Sequence, residues 1–248
     1  MTLIIGIVGS PRKDELTSQL VDAALRGAKL STFEVKKVYL VDFDVKPYVS
    51  VRESCPKELN KLCEEADGII LGSPVYWGDV SGLIKSFMET VSFSPYNNSS
   101  NSNGKPALGI SIAGGTGKGL ISGIQTIYRF FWHKRMRGID PTPVSRFNFD
   151  EAIKRLHTSG RKLANLSKDK MPFQDLSEVS QYYQSLPFLN CDILDTYMLL
   201  ITQLLKAAKS NKIESATKEY EKAMFLIQSK DRIEAVKHAV NAYETLYY

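Results

Sequence analysis

Cysteine is scarce in this chain. Cys55, Cys63 and Cys191 are the full complement among 248 residues, an odd number without a Cys-x-x-Cys pair, which argues against a disulfide framework and a structural zinc site. Histidine is equally scarce: His133, His157 and His238 are scattered, so no Ser-His-Asp triad or two-His-carboxylate set forms, and no catalytic side chain is assigned. No apolar stretch reaches the length of a membrane span, and Met1 leads straight into an apolar run without a charged leader. A cytoplasmic protein with no membrane partner is expected. Net charge is small as well, +5 from 32 basic and 27 acidic residues. The basic residues gather between Lys118 and Lys170, yet Lys154, Arg155, Arg161 and Lys162 form a solvated helix face with no interleaved aromatics, so no nucleic-acid partner is expected.

What is present is more telling. A 43% apolar share and a 24% charged share are ordinary for a globular protein, and 248 residues leave room for a second, smaller domain. The run Leu3 to Val8 is short, β-branched and apolar on both faces, as in a buried strand of a parallel sheet. It stops at Gly9-Ser10-Pro11-Arg12-Lys13, and from Leu16 the apolar residues Leu20, Ala23, Ala24 and Leu25 recur at helical spacing. A loop that opens onto a helix N-terminus offers free N–H groups and a favourable dipole to an anion. Ser10, Thr17 and Ser18 add hydroxyls, and Arg12 and Lys13 add charge. The residues alone leave two readings: a phosphate socket, or a plain strand-to-helix turn capped by Ser10. A dinucleotide fingerprint is disfavoured because Gly6-x-x-Gly9 continues into Ser, Pro and charged residues. An ATP loop at Gly114-Gly115-Thr116-Gly117-Lys118-Gly119 is disfavoured too, since Ile112 stands where its first glycine belongs and Gly119 where its metal-binding hydroxyl belongs.

Strand and helix signals alternate along the chain. Strands are expected over Phe33 to Phe43, Gly68 to Gly72 and Pro106 to Ala113, and a weak one over Arg137 to Pro143, where Pro141 and Pro143 suit only an edge. Helices are expected over Pro56 to Ala66, Asp79 to Val91, Leu120 to His133 and Asp150 to Leu166, with polar loops over Asp44 to Ser54 and Ser94 to Gly104. This rhythm specifies a doubly wound parallel sheet with its ligand at the carboxyl ends of the strands. From Lys168 onward only helices remain: Glu178 to Leu186, Ile193 to Ser210, Lys212 to Ser229 and Asp231 to Tyr247. The last opens on a capping box of Asp231 with Glu234. The domain division is therefore 1–167 and 168–248. The aromatic segment Tyr128 to Trp132 suits either the core or a subunit boundary.

A second loop of weight follows the Gly68 strand: Ser73-Pro74-Val75-Tyr76-Trp77-Gly78, then Val80-Ser81-Gly82. Tyr and Trp together on a turn suit a flat apolar ligand, or else packing onto a partner subunit or a neighbouring loop. With Gly9-Ser10-Pro11-Arg12-Lys13 and Thr17 before it, and Ala113-Gly114-Gly115 after it, this chain resembles the flavodoxin-like NADPH-dependent FMN reductases. The likeness is strongest to the branch related to iron-sulfur flavoproteins, and it covers about residues 1 to 166. The resemblance implies a five-stranded sheet of order 2-1-3-4-5, with the all-helical extension added at the C-terminus. It implies FMN, with its phosphate at Ser10, Arg12, Lys13, Thr17 and Ser18, its ring against Pro74, Val75, Tyr76, Trp77 and Gly78, and further contacts from Gly114, Gly115 and Thr116. It implies hydride from NADPH or NADH, a small-molecule acceptor such as a quinone or free flavin, and a homodimer or homotetramer.

The chain departs from this family in two places. Asp14-Glu15-Leu16 replaces the usual polar Asn-Gly-Asn before Thr17 and brings two carboxylates near the phosphate. The branch's compact cysteine cluster is missing, since only Cys55 and Cys63 fall in that stretch; no metal centre is expected and Cys55 reads as inert. Two other functions stay open at this point. One is an electron-carrier or redox-sensing flavoprotein whose helical tail docks a partner, and the other is a non-enzymatic member of the fold that binds flavin poorly.

Overall fold

A computed structural model describes residues 2–29, 33–49, 55–92, 102–207 and 212–248. Strands β1 (Thr2–Val8), β2 (Phe33–Tyr39), β3 (Gly68–Tyr76), β4 (Asp79–Val80), β5 (Pro106–Ala113) and β6 (Arg137–Ser145) form a single sheet in the order β2-β1-β3-β5-β6, with β4 paired only to β3. All neighbours are parallel except β3 and β4. Leaving out β4, the order is the flavodoxin-like 2-1-3-4-5. The helices are α1 (Leu16–Ala28), α2 (Lys57–Glu65), α3 (Gly82–Thr90), α4 (Leu120–His133) and α5 (Phe149–Leu166), followed by α6 (Leu176–Gln184), α7 (Ile193–Ala207), α8 (Ile213–Gln228) and α9 (Arg232–Tyr247).

The two faces of the sheet explain the double winding. On β1, Ile4 and Val8 pack with Leu20, Val21 and Ala24 of α1 and with Leu156 and Leu163 of α5. Ile5 and Ile7 point the other way, toward Leu59 of α2, Ile84 and Phe87 of α3, and Ile124 and Phe131 of α4. Because both faces are covered, the strand reads as apolar throughout rather than alternating. Helices α1 and α5 touch backbone to backbone: a Cβ on Gly27 would lie 1.8 Å from the His157 carbonyl oxygen, and one on Gly160 would lie 1.9 Å from that of Ala24.

Tyr128 and Phe131 are fully buried and Trp132 is turned outward, which settles the aromatic segment of α4 as mostly core. The Tyr128 hydroxyl has a specific task. The pairing of β5 with β6 shifts register between Leu108 and Ile110, and the Gly109 N–H donates to Tyr128 Oη at 3.2 Å while that hydroxyl donates to the Ile139 carbonyl. One side chain thus satisfies the backbone groups that the bulge disrupts.

Several sequence expectations need correcting. The strand that starts at Gly68 does not stop at Gly72 but runs on to Tyr76, and the helix expected from Asp79 begins at Gly82, because Asp79 and Val80 turn back to pair with Tyr76 and Val75. β2 ends at Tyr39 in a short 3-10 turn, Leu40–Asp42. α6 begins two residues before Glu178, where the Asp175 side chain accepts the Glu178 N–H and caps it. β6 continues to Ser145 despite its prolines, as an edge strand can. Leu16, expected on the packed face of α1, is exposed. Of the polar loop expected over Ser94 to Gly104, residues 94–101 lie outside the described residues, as do residues 50–54 and 208–210 of other expected segments. The loop's end is not at the surface: Ser102 and Asn103 are buried, and Asn103 exchanges two hydrogen bonds of 3.0 Å with the Phe173 backbone.

The helices beyond residue 166 do not hang free. Tyr182 and Tyr183 of α6 donate to the backbone of Gly138 and Met136 at 2.7 Å. Helices α7 to α9 share a third apolar cluster with Ala113, Leu120 and Ile121, where β5 passes into α4.

Candidate functional site

The carboxyl ends of β1, β3 and β5 converge, and hydroxyls tie their loops together. Gly9 N–H donates to the Gly72 carbonyl at 2.8 Å. Ser81, the residue before α3, donates its hydroxyl to the Gly9 carbonyl at 2.5 Å and accepts the Ile84 N–H at 3.3 Å, so one side chain caps a helix and anchors the first loop. Ser73 Oγ receives the Ser81 N–H at 3.0 Å. Ser73 and Ser81 were not among the residues expected at the site, although a serine just before an apolar helical run is a legible cap signal.

In the first loop Ser10 is buried and its Oγ accepts the Arg12 N–H at 3.1 Å, a local turn. Thr17 is buried at the start of α1, and Arg12 and Lys13 lie at the surface. Ser18 is tied down differently: its hydroxyl lies 3.0 Å from the Tyr39 hydroxyl and 3.2 Å from Lys37 Nζ. It braces β2 against α1. The two added carboxylates also have local partners. Asp14 accepts the Tyr39 hydroxyl at 2.6 Å, from a left-handed backbone with φ 59°, and Glu15 pairs with Arg12 at 3.0 Å. Glu15 does not cap α1 with its side chain, and none of the described side chains caps it instead. The first-turn N–H groups of α1 therefore have no side-chain cap competing for them.

The second loop is a tight hairpin rather than an open turn. Trp77 (φ 52°) and Gly78 (φ 84°) are its two central residues, the double positive φ of a two-residue connection. Glycine adopts that geometry easily; tryptophan does so at a cost. Trp77 is fully exposed and Tyr76 half so, while Pro74 and Val75 are partly buried behind them.

The third loop carries Gly115 at φ 51° and Gly117 at φ 77°, with the Gly117 N–H donating to the Gly114 carbonyl at 2.9 Å. A Cβ on Gly119 would come within 2.7 Å of Gly78 Cα, and Ser122 donates to the Gly78 carbonyl, so the second and third loops are packed together. Space opens elsewhere: a Cβ on Gly78, Gly82, Gly114 or Gly115 would meet nothing within 4 Å. Gly114, Gly115 and Thr116 are exposed. An open rim of glycine backbone beside a hydroxyl-lined helix start fits a ligand with one flat end and one anionic end. The helical extension reaches this loop as well. Tyr243 of α9 donates its hydroxyl to the Thr116 carbonyl at 2.8 Å, and Leu200 of α7 lies where a Gly117 Cβ would sit, 2.6 Å away. No local signal marks either contact.

Cys55 and Cys63 are both buried, and burial pushes their thiols from about 9 up to about 11 and about 12. Both are held protonated at neutral pH, which suits inert core residues. Unfolded thiols ionise near 9 while folded ones keep their protons, so stability falls as pH rises from about 9 toward about 12. Lys105, buried with its ammonium on the Cys63 and Glu64 carbonyls, is pushed by desolvation from 10.5 down to about 8 and contributes the opposite slope between those values. Cys63→Ala is expected to make the alkaline loss shallower by up to one proton, about 1.4 kcal/mol per pH unit. Urea melts at stepped pH check it; an unchanged slope would place the alkaline sensitivity elsewhere. Among the described residues no three His, Cys, Asp or Glu side chains gather as metal ligands, and no helix is long and apolar enough to cross a membrane.

Residues 2–141 match the family described as NADPH-dependent FMN reductase. An iron-sulfur flavoprotein of Archaeoglobus fulgidus is 34% identical over 124 residues, 46% of this chain and 56% of that protein, so the chain spans little over half of that relative. An iron-sulfur flavoprotein of Methanocaldococcus jannaschii is 29% identical over 189 residues, 66% of this chain and 97% of the relative. Among solved structures, an NADH:FMN oxidoreductase in apo form aligns with a TM-score of 0.54 at 19% identity, covering 77% of this chain and all of that one. A flavone reductase aligns at 0.56 and 18%, covering 73% and 70%. At such identities the structural likeness speaks for the fold.

Proposed function

The chain belongs to the family of NADPH-dependent FMN reductases, and from that premise we propose that it is an FMN-dependent oxidoreductase. It takes hydride from NADPH or NADH and passes electrons to a small-molecule acceptor such as a quinone or a free flavin. The observation that carries this reading is the set of three strand-end loops tied together through Ser81, Ser73 and Ser122, with the open backbones of Gly78, Gly114 and Gly115 beside them. Bound FMN would supply the redox chemistry, which accounts for the lack of an acid-base pair.

This chain's own residues bind and orient. Ser10, Thr17 and the first-turn N–H groups of α1 hold the phosphate, and Arg12 and Lys13 add charge from the surface. Their present partners do not prevent this. The Arg12–Glu15 and Lys13–Asp42 pairs are exposed and worth about 0–1 kcal/mol each, less than a charge-assisted bond to phosphate. Ser18, braced by Tyr39 and Lys37, keeps the floor of the loop in place. Pro74 to Gly78 would hold the ring, with the exposed Tyr76 and Trp77 available to cover it, and Gly114 to Thr116 would offer backbone groups to its polar atoms.

The experiment is a visible spectrum of the purified protein with and without added FMN, followed by NADPH and NADH oxidation in the presence of a quinone. Absence of flavin bands, with no fluorescence quenching on titration, would sink the reading. Arg12→Ala and Thr17→Ala should each weaken FMN about tenfold, the loss of one hydrogen bond to a charged group. Cys55→Ser should leave FMN affinity unchanged. The reverse ranking would move the phosphate to another loop.

A further inference from the structure

A cavity of about 370 Å³ lies between the helical extension and the second and third loops. Gly78 and Gly119 line it from the two loops, Ile121 from α4, and Ile193 and Tyr197 from α7. Its volume is in the range of small-molecule sites, and its walls are largely apolar with an aromatic ring among them.

The charges around the cavity are unequal. Lys118 extends over the rings of Tyr197 and Tyr243, 5.4 Å from each centroid, and makes no ion pair with a carboxylate among the described residues. Asp192, which also lines the cavity, is already committed: Arg232 reaches it at 2.8 Å and the neighbouring Asp195 at 3.3 Å. Arg232 offsets one of these two carboxylates, and Lys118 is the cation lining the cavity that has no carboxylate partner among the described residues. The third loop is also fixed in place, by Tyr243 on Thr116 and by Leu200 against Gly117, so Lys118 is presented from a braced backbone.

We infer that this cavity is a subsite for a planar aromatic ligand bearing a carboxylate, its ring against Tyr197 and its anionic group on Lys118, with one wall supplied by the chain's own helical extension. Because Gly78 also belongs to the ring-facing loop, the ligand is placed beside the flavin; that role rests on the oxidoreductase reading above. A Lys118 that merely covered two tyrosine rings would not discriminate between an acid and its neutral counterpart.

Calorimetric titration of FMN-loaded protein with naphthoate and with naphthalenemethanol tests it. Naphthoate should bind saturably and about tenfold more tightly than the alcohol, as one charge-assisted contact implies. Lys118→Gln should erase that preference, Lys118→Arg should keep it, and Tyr197→Leu should weaken both compounds. Equal affinities, no saturable binding, or a preference that survives Lys118→Gln would overturn the assignment. The flavin absorbance of each sample separates the two failures: protein that takes up no flavin refutes the oxidoreductase reading, and flavin-loaded protein that does not discriminate refutes the subsite alone.

Discussion

Gly160→Ala is expected to lower the free energy of unfolding by about 3 kcal/mol, and the sign is the informative part. Gly160 sits inside α5, where replacing glycine by alanine ordinarily stabilises a helix by about 0.5–1 kcal/mol. Here the added methyl would stand 1.9 Å from the Ala24 carbonyl oxygen of α1 and 2.7 Å from its carbon. Those are backbone atoms, so no rotamer change relieves the clash, and α1 and α5 must separate. Separation opens the packing of Leu20, Val21 and Ala24 against Leu156 and Leu163 over one face of the sheet, which sets the cost at the upper end of that for overpacked cores. Urea denaturation of Gly160→Ala beside Thr158→Ala, an exposed position two residues away expected to change stability by under about 0.5 kcal/mol, decides it. A Gly160 variant as stable as the parent would mean that the two helices are not in backbone contact.

Gly9→Ala is expected to cost FMN about ten- to a hundredfold in affinity while leaving most of the fold intact. A Cβ there would lie 2.0 Å from Ile84 Cγ1 and 3.2 Å from the Gly72 carbonyl. Ile84 is fully buried in the first turn of α3, so it cannot simply turn away. The strain, about 1–3 kcal/mol, is relieved by moving the loop off α3, and that movement breaks the Ser81 hydrogen bond to the Gly9 carbonyl and shifts Ser10 from its place. Fluorescence titration of FMN measures the loss. The companion variant Ser81→Ala removes the tether without adding bulk and should weaken FMN in the same direction; tight binding by both would show that the first loop does not hold the cofactor.

The layered sheet was legible because each strand of its centre carries a local signature. Leu3 to Val8, Gly68 to Gly72 and Pro106 to Ala113 are apolar on both faces, and glycine follows or closes each run. The hairpin was not legible, since Asp79 and Val80 read equally well as the first turn of an amphipathic helix; only their pairing with Val75 and Tyr76 decides for a strand. The same holds for Ser18. Its hydroxyl on the first turn of a phosphate-type helix is visible in the sequence, but its neighbours Lys37 and Tyr39, brought alongside by the parallel pairing of β1 with β2, are not. Asp14 and Glu15 stood out in the sequence as carboxylates intruding on an anion site, and folding gives each a partner. The role of the tail was the least accessible part. Its stripes specify packing, but Tyr243 and Thr116 are 127 positions apart, and no periodicity connects them.

That separation bears on how the molecule is made. The first two loops need only residues up to Ser81 to form their mutual hydrogen bonds, and they can assemble while the chain is still being synthesised from its N-terminus. The third loop gains its contact with Leu200 later, and its hydrogen bond from Tyr243 later still. A nascent chain can therefore hold a complete sheet while the Thr116 carbonyl still lacks Tyr243, so the fully braced loop follows the sheet in time.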